Sequence, residues 1–217
     1  MNSTRNSLSE IVKSVESELR VRVYSHKYRI ISYLFQFPDS LAGDIGRDCP
    51  SSSSTFFKSL KELHDCGIVR SSPVETESRA RRYDLSEECR SFLEKRHQYI
   101  SRFFKRRLNL DINQSISGLV RNTKIIEQEL NISYYSSEFE IVIFLYERIS
   151  ARAGEVFEHS HAASTSFYAT LKRIFEMGIL CVESDQGDKR FKTYSLAKAA
   201  RAPLDRAHGE IVHLRLL

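Results

Sequence analysis

The 217-residue sequence holds four cysteines and nothing near the ~18 to 20 consecutive apolar residues that a membrane span requires. Its opening, MNSTRNSLSEIVK, lacks the apolar core of a secretory signal, so a cytoplasmic protein with no membrane partner is expected. Cys49, Cys66, Cys89 and Cys181 form no Cys-x-x-Cys and no metal-like spacing with histidine. Cys49 stands just ahead of an expected helix start, where the dipole could lower its pKa and make it a redox-sensing thiol. A reduced structural or surface cysteine is the preferred reading. There is no Gly-rich phosphate loop, no Gly-x-Ser-x-Gly and no His-Glu-x-x-His. His159-x-His161 has no evident third ligand and reads as a polar turn pair. No catalytic residue, metal or cofactor is expected, and no enzyme.

What is present is an ordinary folded composition, 41% apolar and 28% charged, which argues against wholesale disorder. The net charge of +5 and the pI of about 9.0 suit a nucleic-acid partner without demonstrating one. The more informative feature is internal. Sliding the sequence against itself by 111 residues aligns 1–106 with 112–217 without a gap, giving 25 identities in 106 positions. Chance would give roughly one in fifteen, so the chain reads as one unit written twice, 1–111 and 112–217. Two long copies do not make a solenoid.

Each copy predicts the same elements. A first helix carries Leu8, Ile11, Val12, Val15 and Leu19, matched by Leu119, Ile126 and Leu130. A deeply apolar second helix follows at about 27–37 and 138–149, with Ser137 and Glu140 placed as a capping box. A short helix near 42–47 and a tight turn lead to a third helix, about 51–66 and 162–177. Its apolar stripe is Phe56, Leu60 and Leu63, or Phe167, Leu171 and Ile174. Gly67 and Gly178 sit where a helix end needs a left-handed residue. A β-hairpin follows at about 69–85 and 180–196. A long helix closes the first copy from Ser86; the second is expected to begin its continuous helix at Pro203.

The expected fold is therefore mainly α with small β-hairpin wings (α+β). Its plan is two tandem winged helix-turn-helix domains related by pseudo-two-fold symmetry and linked by long helices. Projected at 100° per residue, the third helix turns Ser51, Ser54, Lys58 and Lys61 away from its apolar stripe, with Phe57 on the flank. The second copy offers Ala162, Thr165, Ala169 and Lys172, with Tyr168 on the flank. Hydroxyls and ammonium groups meet phosphates and base edges, and a ring can touch a thymine methyl. A solvated helix face carries the same residue types, so the hairpins decide. The first holds Arg79, Arg81 and Arg82; the second holds Lys189, Arg190 and Lys192, with Arg79 over Arg190. Basic hairpin tips beside such a helix can enter a minor groove or grip phosphate.

The stretches SSSTFFKSLKELHDCGIVR and STSFYATLKRIFEMGILC, each followed by a basic hairpin ending in Tyr-x-Leu, resemble MarR-type winged-helix transcriptional regulators. GDKRFKTYSLA resembles the wing of that family, whereas the first copy has Glu77-Ser78-Arg79 in place of its Asp-x-Arg. The two-copy plan is similar to the two-repeat staphylococcal accessory regulators. The resemblance implies double-stranded DNA as partner, Lys58, Lys61 and Lys172 on recognition helices, and Arg79 and Arg190 on wings. It also implies two heads for half-sites about one helical turn apart, ~34 Å. The chain would be a monomeric pseudo-dimer or would pair again as a homodimer, and no small-molecule effector is indicated. Tyr134-Tyr135 could line a ligand pocket, but reads better as core or hinge packing. Residues 1–111 hold 20 Lys+Arg against 15 Asp+Glu, and 112–217 hold 13 against 13, which favours the first head for phosphate contact. The alternatives are a plasmid-type replication initiator with tandem winged helices and a tandem winged-helix protein–protein adaptor.

Overall fold

A computed structural model of the chain describes residues 8–74, 77–106, 125–160, 163–184 and 192–215. The elements begin with α1 (Leu8–Leu19), α2 (His26–Gln36), β1 (Ser40–Leu41), α3 (Ala42–Asp48) and α4 (Ser53–Asp65). The hairpin β2 (Val69–Val74) and β3 (Glu77–Leu85) comes next, then α5 (Glu87–Arg106). Residues 125–130 are helical and are termed α6. Beyond them lie α7 (Ser137–Arg148), β4 (Ser150–Arg152), α8 (Ala153–Glu158) and α9 (Ser164–Glu176), and finally β5 (Leu180–Ser184), β6 (Lys192–Leu196) and α10 (Lys198–Arg215). The architecture is mainly helical, with two small antiparallel sheets of the same strand order, β1-β3-β2 and β4-β6-β5.

The chain divides into a continuous unit, Tyr24–Tyr134, and a split unit made of Met1–Val23 with Tyr135–Leu217. In the continuous unit, Ile30, Ile31 and Leu34 of α2 are fully buried against Ile45, Phe56, Leu60, Leu63 and Leu85. Ile126, Leu130 and Ile132, from α6 and the residue pair after it, join the same core. The backbone N–H of Ser25 donates to Tyr134 O at 2.9 Å, and its hydroxyl donates to Ser133 O. The split unit is built likewise. Its core holds Phe139, Ile141, Val142, Leu145, Val156, Phe167 and Ile174, and α1 lies along α10 with Val15 and Leu19 buried. Ser136 N–H donates to Val23 O at 3.0 Å and its hydroxyl to Arg22 O. Each unit thus joins a winged head from one half of the sequence to a helical arm from the other half.

Local chemistry explains the element ends. Gly67 and Gly178 both take φ +72° and close α4 and α9, a conformation costly for any residue with a Cβ. Ser25 and Ser136 cap α2 and α7, each hydroxyl accepting from the N–H three residues on. The capping box expected at Ser137 and Glu140 is therefore displaced: Ser136 is the cap, and Ser137 is already helical. Pro203 does not start the last helix either. α10 begins five residues earlier at Lys198 and carries Pro203 inside it, without the N–H that would have reached back to residue 199.

Two arginines tie the helix after each sheet back to the head. Arg90 on α5 donates to Leu34 O (3.0 Å), Phe35 O (3.1 Å) and Asp84 Oδ1 (2.8 Å). Its counterpart, Arg201 on α10, donates to Tyr146 O (2.9 Å) and lies over the Tyr146 ring at 5.0 Å. Both satisfy terminal carbonyls that helices α2 and α7 leave unpaired. Replacing Arg90 with methionine is expected to cost about 2 kcal/mol, since hydrogen bonds to a charged group are at stake. Urea unfolding with an unchanged slope would show this as a lower midpoint.

Burial works against ionisation of Asp84, yet hydrogen bonds from Arg90, the Leu85 N–H and Arg70 outweigh it and hold the carboxyl below its usual range. A lowered folded pKa gives stability that is present above the unfolded value of about 3.9 and lost as pH falls through the folded one. Asp84→Asn is expected to flatten that acid-side decline. Unfolding midpoints measured from pH 6 down to pH 2 would test it.

Candidate nucleic-acid interface

The rotation of α4 follows from what it buries. Phe56, Leu60 and Leu63 face the core, and Ser54, Phe57, Lys58 and Lys61 are left in solvent, with Phe57 at 55% exposure. Ser51 is exposed too, but it precedes the helix, since Ser52 is the cap and α4 starts at Ser53; its hydroxyl lies 3.2 Å from His26 Nε2. The Ser52 hydroxyl accepts from Thr55 N–H at 3.2 Å. Burial, then the neighbouring Arg29, keep the His26 pKa below its ordinary value. Lys58 and Lys61 are in no ion pair among the described residues, while Glu62 is taken by Lys27 of α2 at 2.7 Å.

In the split unit α9 turns Thr165, Tyr168, Ala169 and Lys172 outward, with Tyr168 also at 55% exposure. Lys172 lies 3.6 Å from Glu176, and Arg173 is paired to Glu138 of α7. That last pair repeats the Lys27–Glu62 link with its polarity reversed. Ala162 lies outside the described residues.

The hairpin differs from the expected tip-centred cluster. β3 begins at Glu77, so Arg79, Arg81 and Arg82 stand on the returning strand. Alternation splits neighbouring residues between its faces. The Arg81 guanidinium donates to Ser71 Oγ across the hairpin at 3.0 Å. Arg82 is drawn instead to Asp39, donating to its carbonyl at 2.9 Å with the carboxylate at 3.5 Å. Arg81 is thus available on an exposed strand, and Arg82 braces the turn before β1. In the second hairpin Lys192 opens β6 and is exposed, whereas Lys189 and Arg190 lie outside the described residues.

The other candidate groups are structural. Cys49 is the C-terminal cap of α3, four residues ahead of α4 and 3% exposed, and burial pushes its thiol pKa up rather than down. His159 stacks on Phe144 at 4.5 Å and lies 3.0 Å from Glu155 O, while His161 is outside the described residues. No cluster of three metal-ligating side chains occurs among the described residues. Tyr134 packs on Tyr28 at 4.0 Å and on Tyr24 at 5.4 Å within the continuous unit. Among the described residues no helix is long and apolar enough to cross a membrane. Sequence reading passed over Arg90 and Arg201, although both are identities in the internal alignment and so could have been found.

No family model matches the sequence. No curated protein matches it either. Solved structures with partial likeness include FabT of Streptococcus pneumoniae in complex with DNA, at 14% identity and a TM-score of 0.34 over 48% of this chain and 73% of that one. Wild-type MarR from E. coli in its apo form is 15% identical, with a TM-score of 0.33 over 57% and 81%. The Streptomyces coelicolor regulator PcaV, in complex with its natural ligand, is 17% identical, with a TM-score of 0.30 over 51% and 80%. At these scores the likeness is descriptive, and the winged-helix assignment rests on the element order and sheet topology of the chain itself.

Thiol chemistry tests the placement of the cysteines. Burial pushes Cys89 up to about 11 and also raises Cys49, while Cys66 and Cys181 are exposed. Since the thiolate is the nucleophile, iodoacetamide at pH 7.5 should modify Cys66 and Cys181 at least tenfold faster in the native chain. Peptide mass spectrometry reads the ratio, and urea should abolish it.

Proposed function

We propose that the chain binds double-stranded DNA as a single-chain pseudo-dimer and acts as a sequence-preferring transcriptional regulator rather than an enzyme. The observation that carries this reading is the exposed face of α4. Ser54, Phe57, Lys58 and Lys61 stand together on α4, which packs on β2, the hairpin partner of the basic strand β3, and their apolar backing leaves them no role in the core. Hydroxyl, ring and unpaired ammonium groups on one helix face suit base edges, a thymine methyl and phosphates.

Internal duplication supports the pseudo-dimer. α4 and α9 begin and end 111 residues apart, as do the two positive-φ glycines and the two capping serines. A duplicated gene product whose heads each hold the other's arm gains covalently what a homodimer gains by association. The heads are then free to diverge. In the second, Ala169 replaces Lys58 and Lys172 has an acidic neighbour, so an imperfectly palindromic site with the stronger phosphate grip under the first head is the natural target.

Binding of the full chain to a random-sequence duplex pool, measured across 50 to 200 mM salt, tests the reading. Each neutralised phosphate adds about −0.9 to the log–log slope. The double variant Lys58→Ala with Lys61→Ala should flatten the slope by about 1 to 2 and weaken binding uniformly, with far-UV dichroism unchanged. Salt-insensitive or absent binding to every duplex would overturn the proposal and favour a protein-binding adaptor.

A further inference from the structure

The outward faces of α4 and α9 are alike at some positions and unlike at others. Ser54, Phe57 and Lys61 stand at i, i+3 and i+7, one stripe of a helix. Thr165, Tyr168 and Lys172 occupy the aligned positions, so each head carries a hydroxyl, a ring and an ammonium in the same order. Neighbouring positions change chemical type: Lys58 against Ala169, Glu62 against Arg173, and His64 against Phe175. The rotation imposed by the core explains why positions 57 and 168 point outward, but not why an aromatic ring stands at each. A ring more than half exposed gains little from burial, and a polar residue would serve the fold as well. Both rings are also held in place. Phe57 lies edge-on to the buried Phe56, with centroids 5.1 Å apart at 73°, and Tyr168 to the buried Phe167 at 5.2 Å and 77°. A ring fixed before contact loses little freedom on binding.

We propose that Phe57 and Tyr168 are specificity-determining residues, each reading the C5-methyl group of a thymine in the major groove, one in each half-site. The inference rests on the DNA-binding reading above and adds what the two heads recognise in common. Thymine alone of the four bases presents a methyl in that groove, and proteins meet it through apolar contact. Each ring is the fifth residue of its helix, in the N-terminal half that meets base edges in a helix-turn-helix. Lys61 and Lys172 follow four residues later, ~6 Å along the axis, which is about two base-pair steps of ~3.4 Å. Their ammonium groups and the hydroxyls one turn before the rings suit a polyanion rather than an apolar protein surface. The stripe common to both heads therefore sets the shared part of the half-sites, and Lys58 against Ala169 sets the difference.

The test uses the full chain and duplexes that it enriches from a random-sequence pool, each prepared with thymidine or with deoxyuridine, which differ only by the methyl. At fixed salt, affinity is expected to fall about fourfold for each half-site methyl removed and about fifteenfold for both, with the salt slope unchanged. Replacing thymidines one at a time should locate one sensitive position in each half-site. Phe57→Ala should weaken binding to the thymidine duplex and abolish the loss caused by deoxyuridine at one of these positions, and Tyr168→Ala at the other. Circular dichroism checks that both variants fold, and the comparison of duplexes with the native chain needs neither. Steeply salt-dependent binding with equal affinity for thymidine and deoxyuridine duplexes would overturn this inference and leave the DNA-binding reading standing. A deoxyuridine loss that persists at both positions in the alanine variants would assign the methyl contacts to other residues and overturn it too. Absence of binding to every duplex would overturn both.

Discussion

The angle at which α4 is set about its own axis governs everything that the molecule offers to a partner. Phe56, Leu60 and Leu63 lie at helical spacing and are buried together with the fully enclosed Ile30, Ile31 and Leu34. Large apolar side chains of this kind each contribute about 1.5 to 3 kcal/mol when removed from water. Phe57 is the one exposed residue on α4 that could offer a comparable return, and alone it cannot match the three, so the core chooses the rotation and the outer face is what remains. Phe57 shows the strength of the constraint. Its ring is more than half exposed although phenylalanine ordinarily seeks burial, because turning it inward would expel Phe56 or Leu60. The same holds for Tyr168 beside Phe167.

That dependence explains why so much was legible in the sequence. Stripes of period 3.6, glycines at helix ends and Tyr-x-Leu strands are local signals, and each recurs 111 residues further along the sequence. The exposed face follows by subtraction, which is why Ser54, Phe57, Lys58, Lys61, Thr165, Tyr168 and Lys172 lie where the projection places them. What failed was non-local or depended on one residue of register. Ser51 precedes the helix that the projection extended to it, because Ser52 is the cap, and Ser136 rather than Ser137 caps α7. Arg82 reads as part of a basic cluster until Asp39, 43 residues away in sequence, is seen to hold it. The association of each arm with the head from the other half of the sequence is equally invisible, because Val15 or Ile126 carries no label for its partner.

The differences between aligned positions show which interactions are interchangeable. α2 and α4 are linked by Lys27–Glu62, and α7 and α9 by Glu138–Arg173, so the pairing persists while the charges exchange places. Exposed pairs of this kind contribute little stability, but reversing one places a cation on α9 where α4 has an anion. The added cation is held by Glu138, so the electrostatic difference between the two outer faces is set instead by Lys58 against Ala169 and by the partnering of Lys172. Net charge by half of the sequence points the same way but misses this distinction between held and available cations.

Arg90 and Arg201 mark the opposite limit. Each reaches from the helix after the sheet back to the final carbonyls of the helix before it, and each rests on an aromatic ring at 5.7 or 5.0 Å. A lysine could supply one such bond but not a planar fork that serves two carbonyls while stacking. The acidic support differs: Asp84 binds Arg90 directly, whereas in the split unit Asp205 accepts from the Tyr146 hydroxyl beneath Arg201. Burial and the Asp205 carboxylate together push that phenol up to about 12, so it remains a donor at neutral pH. The shared requirement is the capping of helix-end carbonyls, and the carboxylate is recruited from wherever the local sequence supplies it. The arginine under that requirement stays the same in both units, while the outer faces of α4 and α9, which are free of it, differ at Lys58 against Ala169.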